Sequence, residues 1–270
     1  MLRIALTSLA LGLLSFTAPI SPAAENSPEI STSLNKAANR NGSTLSFSEK
    51  VMAFDAHVQG VYQQAGLKEK GLSYEVFRNA YVGFQNFKNK KLASASNSIL
   101  TVVDFTKPSS NKRMWIIDLK SKKVLFNTLV AHGRNTGNVT ADKFSNQPNS
   151  YMSSVGFYLT DATYYGKHGL SLRLSGMDKE YNSNAMTRAI VVHGADYATE
   201  AFIKQNGRLG RSLGCPAVPR EISKDVIETI KNKTVMYIHG NEKNYSSNYL
   251  DQEAAINAFA ANDLDDLVTV

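Results

Sequence analysis

Two residues in this chain are of types that perform acyl transfer together. Cys215, the single cysteine among 270 residues, sits in RSLGCPAVP (211–219) between a glycine and a proline. His193 ends the apolar run AIVVHG (189–194), 22 residues earlier. A thiolate is a strong nucleophile, and a nearby imidazole is the base that produces one near neutral pH. Gly214 lets a substrate come close to the backbone, and the N–H groups of Gly214 and Cys215 are candidates for an oxyanion hole. Arg208, Arg211 and Arg220 lie within seven residues of the thiol. Each is either a cation that lowers the thiol pKa and grips a substrate carboxylate or an ordinary surface arginine. The cysteine by itself reads in three ways: buried and inert, paired with another chain, or reactive. His193 by itself also reads as a structural histidine at a strand end.

No single helix or strand makes residues 22 positions apart into neighbours, so the surrounding elements must do it. The pattern predicts a strand into His193, a connection carrying a short helix near 197–205, and a return to the same rim. ILTVVDF (99–105), RMWIIDL (113–119), VLFNTLVA (124–131), VGFYLTDATYYG (155–166), LSLRLSG (170–176) and TVMYIHG (234–240) are further strand candidates, β-branched and aromatic between turn residues. One late helix is predicted over about 220–232. Ahead of the strands, apolar residues at spacings of three and four predict two helices, the first ended by Gly66 and the second capped by Ser73. The fold class is therefore mainly β (α+β): a sandwich or barrel over 97–240, with an N-terminal helical hairpin over 48–96. The polar stretch 241–270 reads as a peripheral tail.

The first residues, MLRIALTSLALGLLSFTAPISPAAENSPE, place Arg3 before an apolar run and small residues after it. That is the layout of a signal peptide over 1–24, cut near Ala23 or Ala24, with an uncleaved anchor as the alternative. The apolar run is shorter than the roughly 20 residues a spanning helix needs. Residues 25–47, rich in Ser, Asn and Ala, read as a flexible leader. The expected location is secreted or periplasmic, with no stable membrane span after cleavage, and there an unpaired thiol is unusual. The net charge of +7 is spread over short runs, KNKK (88–91), SKK (121–123) and KNK (231–233). These are solvated faces, or an attraction to an anionic envelope polymer or membrane surface. No nucleic-acid signature accompanies them. His193 and Cys215 lack zinc-site spacing, and no metal or organic cofactor is called for.

His193-Gly194 followed by Ser212-Leu213-Gly214-Cys215 resembles the catalytic signature of the YkuD-type L,D-transpeptidases, bacterial peptidoglycan cross-linking enzymes with a β-rich fold. HGRNTG (132–137), FSNQPNSYMSSVGFY (144–158), YGKHGLSLRLSG (165–176) and RAIVVHGADY (188–197) are similar to the murein L,D-transpeptidase subfamily. The resemblance covers about 97–240. It implies an exported enzyme acting on peptidoglycan stem peptides, with Cys215 as nucleophile and His193 as base. The Gly194 C=O then fixes the imidazole tautomer, and the N–H groups of Leu213, Gly214 and Cys215 form the oxyanion hole. It implies no cofactor, and carbapenems as acylating inhibitors. Arg208, Arg211, Ser212, His168 and His132 are the candidate substrate-binding residues. The commonest family motif has a histidine where this chain has Leu213, and His168 or His132 is the candidate replacement. The same scaffold is compatible with an L,D-carboxypeptidase, an endopeptidase or a catalytically silent peptidoglycan-binding protein.

Overall fold

The computed structural model describes residues 45–262. The expected signal peptide and the leader as far as residue 44 lie outside the described residues, as do 263–270. No described helix is long and apolar enough to cross a membrane.

Helix α1 (Phe47–Gln64) opens on a capping box: the Glu49 N–H donates to the Ser46 Oγ while the Ser46 N–H donates to the Glu49 carboxylate. It closes at Ala65, and Gly66 takes the left-handed φ of +60° that turns the chain back. Helix α2 (Tyr74–Asn89) is capped by Ser73, whose Oγ accepts from the Val76 N–H.

Eight strands follow: β1 (Ile99–Asp104), β2 (Met114–Asp118), β3 (Lys123–Thr128), β4 (Gly156–Gly166), β5 (Gly169–Gly176), β6 (Val191–Ala195), β7 (Ala217–Pro219) and β8 (Val235–His239). Helix α3 (Glu200–Asn206) lies between β6 and β7, α4 (Arg220–Ile230) between β7 and β8, and α5 (Gln252–Asn262) follows β8. All eight strands form one sheet in the order β3-β2-β1-β8-β4-β5-β6-β7. The pairs β1–β8 and β6–β7 are parallel and the others antiparallel. Just past β3, Ala131 bridges Ala217 of β7 and Gly133 bridges Ser212. The two ends of the sheet therefore meet, giving the nearly closed barrel-like body that the strand pattern predicts.

The interior holds Val103, Met114, Ile116, Leu172, Leu174, Val192 and Met236, with Val226, Ile227 and Ile230 of α4 packed on them. Strands β1, β2 and β8 are buried on nearly every residue because their other face is covered as well. Trp115 and Phe157 lie there, fully buried under the helical hairpin. The Trp115 Nε1 donates to Lys70 O (3.0 Å), and Phe87 of α2 meets Phe157 with ring centroids 5.8 Å apart. Residues 252–262, in the stretch read as a peripheral tail, form α5 with Ala255, Ile256, Ala258 and Phe259 buried. Phe259 packs edge-on against Phe54 of α1 at 5.5 Å, so this segment completes the helical layer.

Gly83 of α2 records how tightly that layer sits. A Cβ there would lie 2.1 Å from the Phe157 Cε1. Gly83→Ala is expected to destabilise the fold by about 2 kcal/mol, overpacking outweighing the gain in helix propensity. Urea unfolding measures this, and a stabilised variant would show that the hairpin is not seated on the barrel as described.

Candidate active site

Strand β6 carries His193 into the molecule, where it is 2% exposed. Its Nδ1 lies 3.0 Å from the Gly194 O. A carbonyl only accepts, so Nδ1 bears the proton and Nε2 is left with a lone pair. Gly194 is required for the layer behind: a Cβ there would meet the Ser223 Oγ at 2.5 Å and the Arg220 Cα at 3.1 Å, both in the first turn of α4.

Register brings the cysteine to the histidine. His193 pairs with Ala217 across the parallel β6–β7 ladder, and Cys215 precedes Ala217 by two residues. Cys215 itself lies in the bend just ahead of β7, so the ladder brings the loop that bears the thiol to the strand that bears the imidazole. The loop is pinned. The Ser212 Oγ donates to Cys215 O (2.6 Å) and accepts from the Gly214 N–H (3.0 Å), and the Ser153 Oγ donates to Gly214 O (3.1 Å). Gly214 has φ +125°, and a Cβ there would lie 2.8 Å from Met152 O. Both the conformation and the close approach require glycine. The half-buried Sγ points at Ala189 O, 3.7 Å away, and no hydrogen bond joins it to His193 in this resting arrangement.

Three expectations are altered here. The Gly214 N–H is taken by Ser212, so of the three proposed oxyanion donors only those of Leu213 and Cys215 lack an acceptor among the described residues. Ser212 is 5% exposed and both its bonds stay within the loop, so it shapes the turn rather than facing a substrate. His132 is 1% exposed: its Nδ1 accepts from the Arg113 Nη2 (2.7 Å) and its Nε2 donates to Gly137 O (3.3 Å). It is a buried strut for the segment that closes the sheet, not an open binding group.

His168 sits in the Lys167-His168 turn of the β4–β5 hairpin, and its ring stacks on His193 with centroids 4.3 Å apart and planes 22° from parallel. The cations whose charge acts on the thiol are Arg188 and Lys167, not the arginines close to it in sequence. The Arg188 Nη1 donates to Ser145 O (2.7 Å) and the Ser154 Oγ (2.8 Å), while its Nη2 donates to Met152 O (2.5 Å). That fixes a guanidinium beneath Gly214. The Arg208 Nη1 donates to Leu209 O (2.7 Å), the Arg211 Nη1 reaches Arg134 O and Gly137 O (3.2 Å each), and Arg220 pairs with Asp196 (2.5 Å). Nothing in the sequence marks Lys167 or Arg188. A hairpin turn and a polar loop, both distant in the chain, bring them in.

The electrostatics describe a neutral pair. Burial pushes the Cys215 thiol up, opposed by the Val191 N–H and by the charges of Arg188 and Lys167. Burial pulls His193 down, opposed by its bond to Gly194 and reinforced by His168, Arg220 and Lys167. Both shifts act in the direction of the uncharged thiol and the uncharged imidazole. Among the described residues no three His, Cys, Asp or Glu side chains cluster to hold a metal.

His132 also makes stability depend on pH. Burial and the Arg113 cation lower its pKa to about 4. The folded pKa lies below the unfolded value, so this contribution is complete above about pH 6.5 and is lost as the pH falls toward 4. The loss is expected to be on the order of 2 kcal/mol in denaturant melts at pH 7 and pH 4. His132→Gln is expected to flatten that slope, and an unchanged slope would assign it to other groups.

The model of the L,D-transpeptidase catalytic domain family matches residues 68–239, taking in α2 as well as the strands. No curated protein matches. Similar solved structures include an L,D-transpeptidase from Mycobacterium smegmatis, 10% identical over 53% of this chain and 59% of that one, with a TM-score of 0.34. Another from Mycobacterium tuberculosis H37Rv is 13% identical over 53% and 58%, at 0.32. L,D-transpeptidase 3 of Mycobacterium tuberculosis, in complex with a faropenem-derived adduct, is 12% identical over 53% and 60%, at 0.33. This chain thus covers less than two thirds of each of those chains.

Proposed function

This chain belongs to the L,D-transpeptidase catalytic domain family, whose members act on peptidoglycan, and on that footing we propose that it is an exported cysteine acyltransferase of the cell envelope. Its acyl donor is a tetrapeptide stem. Cys215 is the nucleophile, His193 the general base, and the Gly194 C=O the group that keeps the Nδ1 tautomer.

In the proposed reaction the Sγ attacks the carbonyl of the L-centre that precedes the terminal D-residue. The His193 Nε2 takes the thiol proton as the S–C bond forms, and the Leu213 and Cys215 N–H groups donate to the oxyanion. The imidazolium returns the proton to the departing amine as the C–N bond breaks, leaving a thioester. The amine of a second stem then attacks, His193 accepts its proton, and the collapse expels the Cys215 sulfur, which is reprotonated. Water in place of that amine gives carboxypeptidase activity. Leu213 in place of the family's histidine is compatible with this chemistry, since a backbone N–H belongs to either residue and the leucine side chain is 52% exposed. Arg188 and Lys167 supply the fixed positive charge that stabilises thiolate character as attack proceeds.

The observation that most supports this reading is the His193 Nδ1–Gly194 O contact (3.0 Å), which aims an unprotonated Nε2 from a rigid strand beside the cysteine loop. The test is incubation with purified disaccharide-tetrapeptide, followed by mass spectrometry. Cross-linked dimer with release of the terminal D-residue is the expected product, and carbapenem is expected to add covalently at Cys215. Tripeptide alone would assign a carboxypeptidase. Cleavage of added cross-linked muropeptides would assign an endopeptidase, and neither product nor adduct a silent binding protein.

A further inference from the structure

The basic runs KNKK (88–91) and KNK (231–233) lie far apart in the chain but share one cavity of about 730 Å³. Lys88, Lys91 and Lys233 line it, with Asn89, Asn262 and the apolar Leu92 among the remaining walls. No Asp or Glu among the described residues does so. Strands β4 to β7, which carry His168, His193 and Cys215, contribute nothing to it, so this is a second location on the molecule.

The charge does not cancel locally. Helix α2 ends at Asn89 and α5 reaches Asn262, both of which line the cavity, and α4 ends three residues before Lys233; each such end presents roughly half a negative charge from its terminal carbonyls. Three ammonium groups against three such ends leave an excess of about one and a half positive charges. Lys88 Nζ donates to Ala95 O (2.6 Å), whereas the ammonium groups of Lys91 and Lys233 have no hydrogen bond or ion pair among the described residues. Both of these lysines adopt left-handed backbone, with φ of +55° and +58°. The Lys91 N–H donates to Lys88 O (2.9 Å) and the Leu92 N–H to Phe87 O (3.0 Å), a helix ending that glycine ordinarily serves. The chain thus places a long cationic side chain where a strain-free residue would end the helix, and no hydrogen bond or ion pair of that ammonium among the described residues compensates for it.

We infer that this cavity binds an acidic saccharide, a sugar carrying a carboxylate or a phosphate. The lysines take the anionic group, the Asn89 and Asn262 amides suit hydroxyls, and Leu92 offers an apolar patch to a ring face. The volume falls in the range of organic ligand sites, far more than a bare ion needs. The inference stands on the cavity, and only the choice of probe rests on the peptidoglycan reading.

Isothermal titration of the full-length chain tests it without requiring turnover. The probes are the N-acetylglucosamine–N-acetylmuramic acid disaccharide with its lactyl carboxylate free, the same disaccharide as its neutral amide, glucose 6-phosphate, and inorganic phosphate. The free acid or the sugar phosphate is expected to bind in a salt-sensitive manner, at least about tenfold more tightly than the amide. Whichever of the two binds identifies the anionic group. The double variant Lys91→Gly/Lys233→Gly is expected to lose at least about tenfold in affinity, with an unchanged or raised Tm, because glycine adopts both backbone conformations freely. Its turnover of a soluble stem peptide is expected to be unaltered. Equal binding of acid and amide, binding retained in the double variant, or phosphate bound as tightly as the sugars would overturn the inference. So would binding that arises only when Asp263, Asp265 and Asp266 are changed to Asn, since the chain's own acidic end would then be the occupant.

Discussion

Cys215→Ala is expected to lower the rate of D-residue release from tetrapeptide by roughly 10⁴-fold or more, because removing a nucleophile leaves only positioning and oxyanion stabilisation. The variant is expected to fold normally. The thiol is half-buried, it packs at the margin of the core with a long bond to Ala189 O (3.7 Å), and the loop is held by Ser212 and Ser153 rather than by sulfur. Stability is expected to stay within about 0.5 kcal/mol of the parent chain. Three measurements decide the matter together: product release by mass spectrometry, carbapenem adduct formation, and the urea midpoint. A variant that still turns over would remove Cys215 from the mechanism. One that is inactive but also unfolded would leave the role to be tested by Cys215→Ser, which keeps the volume and lowers the nucleophilicity.

His193→Gln is expected to cost about 10² to 10⁴ in kcat/KM, the usual contribution of a positioned general base. Glutamine retains an N–H for Gly194 O, so the strand is preserved. The pH profile carries the sharper information. Burial depresses the His193 pKa, so the neutral imidazole persists below the ordinary histidine range. Activity is therefore expected to hold through pH 6.5 and to fall only at lower pH, as the folded-state pKa is crossed. The acid limb should vanish in the glutamine variant. An acid limb centred above 6.5 would mean that His193 is paired with a thiolate after all. At the alkaline end, the raised thiol pKa predicts that iodoacetamide labels Cys215 readily only at alkaline pH when no substrate is bound. Slow labelling of the resting thiol at neutral pH is accordingly compatible with an active enzyme, and turnover is the discriminating measurement.

Much of the scaffold is legible in the residues. ILTVVD, MWIID and VMYIH read as continuous apolar strands because both of their faces are covered, by the barrel interior and by the helical hairpin. Ser46 with Glu49, Ser73 and Gly66 mark helix ends through contacts spanning three or four residues, the range over which sequence is most informative. Strand β7 is only three residues long and has no periodicity of its own. It exists because β6 and the Ala131 segment offer it partners. Helix α5 lies in a stretch, 241–270, whose polar and acidic flanks hide its Ala, Ile and Phe residues. It is buried on one side because α1 and α2 present Phe54 and neighbouring aromatics to it.

The site divides along the same line. Residue chemistry offers His193 and Cys215 only as one reading among several, and it is the resemblance of His193-Gly194 and Ser212-Leu213-Gly214-Cys215 to a family motif that singles them out. The sequence neighbours of the thiol were a poor guide to its surroundings. Arg208, Arg211 and Arg220 are spent on carbonyls and on Asp196, while Lys167 and Arg188 provide the field. Which N–H groups remain for an oxyanion also depends on tertiary contact, since the Ser212 side chain takes that of Gly214 and the Ser153 side chain takes its carbonyl. The amino-acid order by itself therefore determined the element types, the caps and the two candidate reactive groups, all of which depend on local periodicity and side-chain chemistry. Only tertiary contact decided what surrounds the imidazole, the charges around the thiol and the free donors, because the β4–β5 turn, the loop that holds Arg188 and the Ser212 side chain act through contacts that local periodicity does not specify.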